Sequence, residues 1–430
     1  LFATLFLLGF TTSVKASPDT IYVPGDYAKI QWAIGNATTG DTIIVSAGIY
    51  SERITIEKSL TLLGENKNSI IDGNGTGHVV SMINANNVSI SGFTIQNSGS
   101  GFWDSGIYTR NTSWCNINYN ILINDGHGIW LDYCSNNNII TENNVSYNLV
   151  GIAITSSSSN IITNNYVFSS TYCGIALEYA SNSILTSNIA KNNEYGIWLD
   201  YSTNVTTTGN IVADNLYGIH LDHSDNNMIF HNNIINNTQQ TEIINSTSIW
   251  DADFEGNYWN NHEGLDTDKD GVANNPHIID ADNTDNYPLM GIFSDFIITW
   301  EEQLHHVTTI CNSTISNFVF NATYNGLQKA ISFNAAGEDE TTGFCRIRIP
   351  TALMDGTFTV HVDGANTTYT LLPRSNATHN YLYFTYKHSP EEVIITPEFS
   401  STIILPTLVV LILVATIISK RKKPSYRNLA

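Results

Sequence analysis

"YGIWLDY", residues 195–201, nearly repeats "HGIWLDY", residues 127–133. Two copies of one heptapeptide 68 residues apart suggest a fixed period, and aligning the chain on Gly-Ile supplies it. Gly106, Gly128, Gly151, Gly174, Gly196 and Gly218 follow one another at steps of 22, 23, 23, 22 and 22. The heptapeptides are therefore three repeats apart. A second column, Asn120, Asn143, Asn165, Asn188, Asn210 and Asn232, runs in phase with the first. A period of this length decides the architecture before any single residue does.

Within each repeat the residues after the glycine alternate. Ile107, Ile129, Ile152, Ile175, Ile197 and Ile219 take one side, the next position takes the other, and Leu131, Ile154, Leu177, Leu199 and Leu221 return to the first. A period of two is a strand. No stretch inside a repeat carries a helical period, and the Asn, Ser, Gly and Thr content opposes helix. The pattern predicts a parallel β-helix. Each coil adds about 4.8 Å of height, and only stacking buries the aliphatic columns. The bend asparagines are expected to adopt the left-handed conformation and to hydrogen-bond the same Asn one turn above.

"GDTIIVSAGIYSERITIEKSLTLLGENKNSIIDGNG" (40–75), the 22-residue turns and "EGNYWNNHEGLDTDKDGVANNPHIIDADNTDNYPLM" (255–290) carry a likeness to a known group. They resemble the right-handed parallel β-helix proteins of the pectin-lyase-like superfamily, in particular the NosD-type, carbohydrate-binding and sugar-hydrolysis branch found on archaeal surfaces. The likeness covers residues 20–291. It implies a fold but no particular reaction, since one fold hosts many chemistries.

The expected class is all-β: a right-handed parallel β-helix over 17–291, then a small Ig-like β-sandwich over 292–392, a linker at 393–399 and one membrane span. "YAKIQWAIGNA" (27–37) reads as a short amphipathic cap on the first turn. Past 292 the 22-residue beat stops, and longer alternating strands such as "FTVHVDG" and "YLYFTY" replace it. This part resembles the membrane-proximal sandwich domains of archaeal surface proteins.

Residues 1–16 read as a signal peptide cut after Ala16. Residues 400–419 are uncharged, about the 30 Å that a bilayer requires. "KRKK" (420–423) follows, so 420–430 is expected to be a cytoplasmic tail and the rest to stand at the cell surface. "PEF" (397–399) resembles an archaeal sorting signal. A formal charge of −21 excludes nucleic acid as a partner. Twelve N-x-S/T sequons, Asn36, Asn87, Asn204 and Asn376 among them, permit glycosylation. Cys311 and Cys345 are expected to form a disulfide. Cys115, Cys134 and Cys173 occupy different phases of their repeats and are expected as buried thiols.

Any chemistry belongs on the outward columns. Two positions after the glycine stand Tyr108, Trp130, Ala153, Ala176, Trp198 and His220; four after stand Arg110, Asp132, Thr155, Glu178, Asp200 and Asp222. Aromatic rings beside carboxylates suit sugars, because a ring covers the apolar face of a pyranose and a carboxylate accepts from its hydroxyls. The expected ligand-binding set is Tyr108, Trp130, Asp132, Trp198, Asp200, His220 and Asp222. Its expected partner is a polysaccharide or cell-surface glycan, with a ligand-free coat protein that binds neighbouring surface proteins as the alternative.

An enzyme, either a glycoside hydrolase or a polysaccharide lyase, would draw on Glu178, Asp200 and Asp222, which a solenoid spaces suitably whether or not they react. "GHG" (126–128) resembles a polygalacturonase motif, but the companion paired Asp and the Arg-x-Lys are missing. The NosD likeness suggests copper, yet four scattered Met and no Cys/His cluster argue against it; His220 and His223 are only a pair. "DTDKDG" offers Asp266, Asp268 and Asp270 as half of a calcium loop, with His277 where a bidentate Glu belongs and Asn274 or Asp280 as possible completions. Its expected task is to end the β-helix.

Overall fold

The computed structural model describes residues 18–324, 328–388 and 391–398. The expected signal peptide, span and basic tail lie outside them. Among the described residues no helix is long and apolar enough to cross a membrane. The chain divides into two compact units, Leu1–Thr267 with Val272–Leu289, and Asp268–Gly271 with Met290–Ala430.

The first unit is a parallel β-helix. Each turn gives one strand to each of three sheets of ten, ten and nine strands: Asn116–Asn118 joins the first, Ile121–Ile123 the second and His127–Asp132 the third. Residues one repeat apart are in register, so Ile107 stacks on Ile129, Ile152, Ile175, Ile197 and Ile219. All six are fully buried. Each such side chain stabilises the coil by about 1.5–3 kcal/mol relative to exposure. The helix Ile30–Asn36 covers the first turn with Ile30, Ala33 and Ile34. At the other end Trp250 and Trp259 join the same core, their indole N–H groups donating to Asn283 Oδ1 at 3.0 Å and Asp285 Oδ2 at 2.8 Å.

The glycine column has a steric cause. A Cβ on Gly174 would stand 2.7 Å from the carbonyl oxygen of Gly196 and 2.8 Å from Asn193 Nδ2; at Gly128, Gly151, Gly196 and Gly218 the carbonyl of the next turn would lie at 2.5–2.7 Å. Backbones of successive turns meet there with no room for a side chain.

The Asn column stacks as expected. Each Nδ2 donates to the next Oδ1, from Asn143 to Asn165 at 3.0 Å, on to Asn188 at 3.0 Å and to Asn210 at 3.0 Å. A second N–H bond from Asn143 Nδ2 goes to the carbonyl of Ile117 at 2.8 Å. The left-handed conformation, however, belongs to the residue before: Tyr119, Glu142, Asn164, Ser187, Gly209 and His231 have φ between 52° and 66°. The corner is turned by that exposed neighbour, which leaves the asparagine free to point inward and satisfy buried backbone groups.

The second unit holds two five-stranded antiparallel sheets. One runs Ile292–Trp300, Gln303–Cys311, Thr342–Pro350, His379–Lys387 and Tyr369–Leu371; the other runs Thr314–Tyr324, Gln328–Ala336, Glu391–Pro397, Phe358–Val362 and Ala365–Thr367. Val307, Phe333, Ile347, Leu382 and Ile395 share one apolar core. The expected linker is corrected here, because residues 393–397 belong to a strand between Gln328–Ala336 and Phe358–Val362, with Val393 and Ile395 buried.

The expected disulfide is not formed in this structure. Cys311 and Cys345 are free thiols opposite each other on neighbouring strands, and Cys311 Sγ instead lies 3.2 Å from Tyr386 Oη. Cys115 and Cys173 are buried as expected, whereas Cys134 is exposed, because it turns the corner beside Tyr133 at φ 59°.

Candidate functional site

The outward column of the third sheet is in register as expected, Tyr108 on Trp130, Ala153, Ala176, Trp198 and His220. It does not form an open wall. Tyr108, Trp130 and His220 are only 8%, 7% and 5% exposed. Rings from the first residue of a strand, as His127 and Tyr195, and from the loops that lead into strands, as His78 and Trp103, fold over them. His78 stacks on Tyr108 at 4.1 Å and His127 on Trp130 at 5.0 Å, while Trp103 lies 5.5 Å from Trp130. His220 lies under Tyr195 and Trp198, with its Nδ1 2.8 Å from Glu242 Oε2.

The polar ends follow a rule along the stack. Tyr108 Oη donates to Asp132 Oδ2 one turn on at 2.8 Å, and Trp130 Nε1 donates to Thr155 Oγ1 one turn on at 3.1 Å. The same step from Trp198 leads to Asp222, but Asp222 Oδ1 is engaged by His223 Nδ1 at 2.6 Å. Trp198 Nε1 is buried without a partner, and so is Asp200 Oδ1.

Between Trp130 and Trp198 the column drops to Ala153 and Ala176. The two missing rings leave a cavity of about 620 Å³, well inside the range of small-molecule sites. The alanines are its floor. Trp130, Phe102 and Trp103 close one end, while Trp198 and Tyr172 close the other. Phe102 and Trp103 come from the loop 97–104, eight residues where the next turn uses only 124–126. That loop is pinned by Ser98 N donating to Asp125 Oδ1 at 2.8 Å and by His127 N donating to the Asp104 carbonyl at 2.8 Å.

Three carboxylates, Glu178, Glu194 and Asp200, line the cavity, and no Lys or Arg does. None of the three has a hydrogen-bond or ion-pair partner among the described residues. Burial, and then the neighbouring Asp200, raises the Glu178 carboxyl above its usual range; burial, and then Asp222, raises Asp200. His127 also lines the site, and burial holds it at about 4, so it is a neutral imidazole at pH 7.

Of the expected ligand set, Trp130, Trp198 and Asp200 come together in the cavity along with Glu178, while Tyr108, Asp132, His220 and Asp222 lie outside it. Phe102, Trp103, Tyr172 and Glu194 were not expected. The signal for the first two was an apolar pair inside the Gly/Ser stretch that delays the first regular glycine. A further ladder, Tyr179 on Tyr201 at 5.0 Å and Tyr201 on His223 at 4.7 Å, stands exposed at the corner. Its rings cover one another's faces.

The carboxylates of Asp266, Asp268 and Asp270 each bring an oxygen within 4.8 Å of the others. His277 does not join them, since its ring stacks on Trp259 at 4.4 Å. Asn274 Oδ1 accepts from Thr267 N at 2.7 Å, and Asp280 Oδ1 accepts from Asn283 N at 2.8 Å.

Fold and cavity together define a parallel β-helix protein with an aromatic-walled cleft on one sheet. The chain belongs to the NosD family: the profile described as "Periplasmic copper-binding protein (NosD)" matches residues 34–264. Over 100 residues the chain is 39% identical to a cell surface glycoprotein of Methanothermus fervidus, a stretch that is 23% of this chain and 16% of that protein. It thus spans far less than two thirds of that relative. Among solved structures it is similar to the enzymatically active domain of tailspike protein 2 from bacteriophage CBA120, with TM-score 0.43, 10% identity, and 88% of this chain and 79% of that one covered. It is also similar to an alginate lyase from Paenibacillus sp., with TM-score 0.40, 13% identity, and 54% and 95% covered.

The residues present do not fit copper. Among the described residues the one converging trio of His, Cys, Asp or Glu side chains is Asp266, Asp268 and Asp270, hard oxygens of the kind calcium takes. His220 and His223 are each engaged by a separate carboxylate, and His262 and His277, 3.3 Å apart through Nδ1, are only two ligands.

Proposed function

We propose that this chain is a cell-surface protein whose cleft between Trp130 and Trp198 binds a glycan. The observation that carries the reading is the column Trp130, Ala153, Ala176, Trp198, in which two small residues open a ring-walled space lined by the carboxylates of Glu178, Glu194 and Asp200. Such a site offers an aromatic face together with hydrogen-bond acceptors for hydroxyl groups, which suits a pyranose. The match to a cell surface glycoprotein supports the location. So does the placing of the sequons: Asn36, Asn74, Asn87, Asn111, Asn144, Asn204, Asn236, Asn245, Asn312, Asn321, Asn366 and Asn376 are all at least partly exposed, and none lines the cleft. An Ig-like sandwich reading of the second unit makes it the stalk.

The test is retention on a glycan array by the parent chain, Trp198→Ala and Ala176→Trp. Ala176→Trp restores the ring that the rungs on either side of the gap carry, so it fills the cleft without asking for a new backbone. Both variants are expected to lose retention by about tenfold or more while the circular dichroism of the coil persists. Retention by the filled variant would remove the cleft from the function. A second reading, a coat protein, rests on the outward residues of the first sheet, which carry no charge from Ser89 through Ile139, Ile161, Ile184 and Met228 to Phe230. Self-association unaffected by filling the cleft would favour it.

A further inference from the structure

Which sugar the cleft takes is decided by charge, and this inference rests on the glycan reading. Glu178, Glu194 and Asp200 surround it, no cationic side chain lines it, and the one imidazole is neutral. In an acidic chain an acidic rim alone would mean little. Here Asp200 is half-buried and all three carboxylates are left without partners among the described residues, whereas Asp132, Asp214, Asp222 and Glu242 each meet a hydroxyl, an ammonium or an imidazole. Of the Asp200 oxygens, Oδ1 is closed off inside the wall and the other is the one open to a ligand, with no donor of the described residues on it. A partly desolvated carboxylate without a donor gains from one that a ligand brings. The site is therefore short of donors or of positive charge.

A lone metal ion does not supply what is missing. The three carboxylates do not converge on one point; among the described residues only Asp266, Asp268 and Asp270 do. What fits is an organic cation long enough to reach from one turn to the next. Glu178 and Asp200 are register partners on adjacent turns, about 4.8 Å apart along the stack. The indole of Trp198, which is less covered than that of Trp130, also favours a cation on its face.

We propose that the cleft selects basic amino sugars, glycan units with a free protonated amine, over neutral and N-acetylated sugars, and rejects uronates. The amine sits between Asp200 and Glu178 and supplies both with N–H donors. The ring lies over Trp198, and Ala153 and Ala176 give it room. A uronate would instead set a fourth negative charge among three in a partly desolvated space, where like charges are costly.

The experiment measures binding of the full-length chain to glucosamine oligomers, N-acetylglucosamine oligomers of equal length and oligogalacturonate, at low and high salt, with the amine protonated. The glucosamine oligomer is expected to bind about tenfold tighter than its acetylated form. That advantage should shrink in high salt and vanish in Asp200→Asn and Glu178→Gln, both of which keep the shape of the cleft. Equal or tighter binding of the acetylated form, or an advantage that survives both substitutions, overturns the charge rule and leaves glycan binding standing. Binding of oligogalacturonate overturns it as well. If the parent retains none of the three probes, the glycan reading itself falls, and this inference with it.

Discussion

At the scale of single residues, the most constrained positions are those with no side chain. Gly174 has an ordinary φ, so its requirement comes from the Gly196 carbonyl that a Cβ would meet at 2.7 Å. Backbone cannot step aside as a side chain can. Gly174→Ala is expected to lower the denaturation free energy by about 1–3 kcal/mol. Gly35 is the control: it lies in the capping helix, and a methyl group added there would meet nothing within 4 Å, so Gly35→Ala should be neutral or stabilise by up to about 1 kcal/mol. Urea unfolding of the two variants decides it, and equal effects would show that close approach is not the reason for the column. The direction of each side chain was legible at this scale, because alternation places Trp130 outside the aliphatic core. Its burial was not legible, since the rings that cover it are His127, the first residue of its own strand, on the far side of Gly128, and Trp103, from an inserted loop, and neither belongs to its outward column.

At the scale of elements, what repeats was readable and what interrupts the repeat was not. The three sheets follow from the period, and the stacked Asn corners follow from the second column. The cleft depends on two departures, the paired alanines and the loop 97–104, and a departure has no period by which to be recognised. The strand Glu391–Pro397 was missed for a related reason: its inward residues, Val393 and Ile395, are too few to announce an alternation beside Pro397. The loop carries its own prediction. Replacing 97–104 by Asn-Asp-Gly, the corner used at 124–126, removes Phe102 and Trp103 and opens one end of the cleft. Glycan affinity should fall by about tenfold, and Trp130 should become accessible to a fluorescence quencher, while the circular dichroism of the coil persists. Unchanged quenching would mean that the loop is not what covers Trp130.

For the whole molecule, the formal charge of −21 invites the expectation that mild acid stabilises it by relieving repulsion. The buried groups of the β-helix reverse that sign. Burial holds His127 at about 4 against an ordinary 6.5, so the unfolded chain takes the proton first, and stability that is complete above pH 6.5 is lost as the pH falls toward 4. By pH 5 this amounts to about 2 kcal/mol. Asp285 acts in the opposite sense. Burial outweighs its hydrogen bonds from Asn257, Trp259 and Tyr287 and lifts it to about 6 from 3.8. The folded state therefore binds its proton first, and the destabilisation present above pH 6 is relieved on acidification, by about 1 kcal/mol at pH 5. His277, also held at about 4 chiefly by burial, adds to the loss. Asp125, which burial raises well above the usual carboxylate range, acts with Asp285, and His78, which burial lowers, acts with His127 and His277; with the three imidazoles setting the sign, the denaturation midpoint is expected to fall between pH 7 and pH 5. His127→Val, which places there the side chain its register partner Val150 already carries, should flatten that slope. Asp285→Asn should steepen it, whatever constant offset it brings. Midpoints at pH 7, 6 and 5 for the three proteins separate these effects; a midpoint that rises on acidification, or three equal slopes, would place the response in surface repulsion and not in these two buried groups.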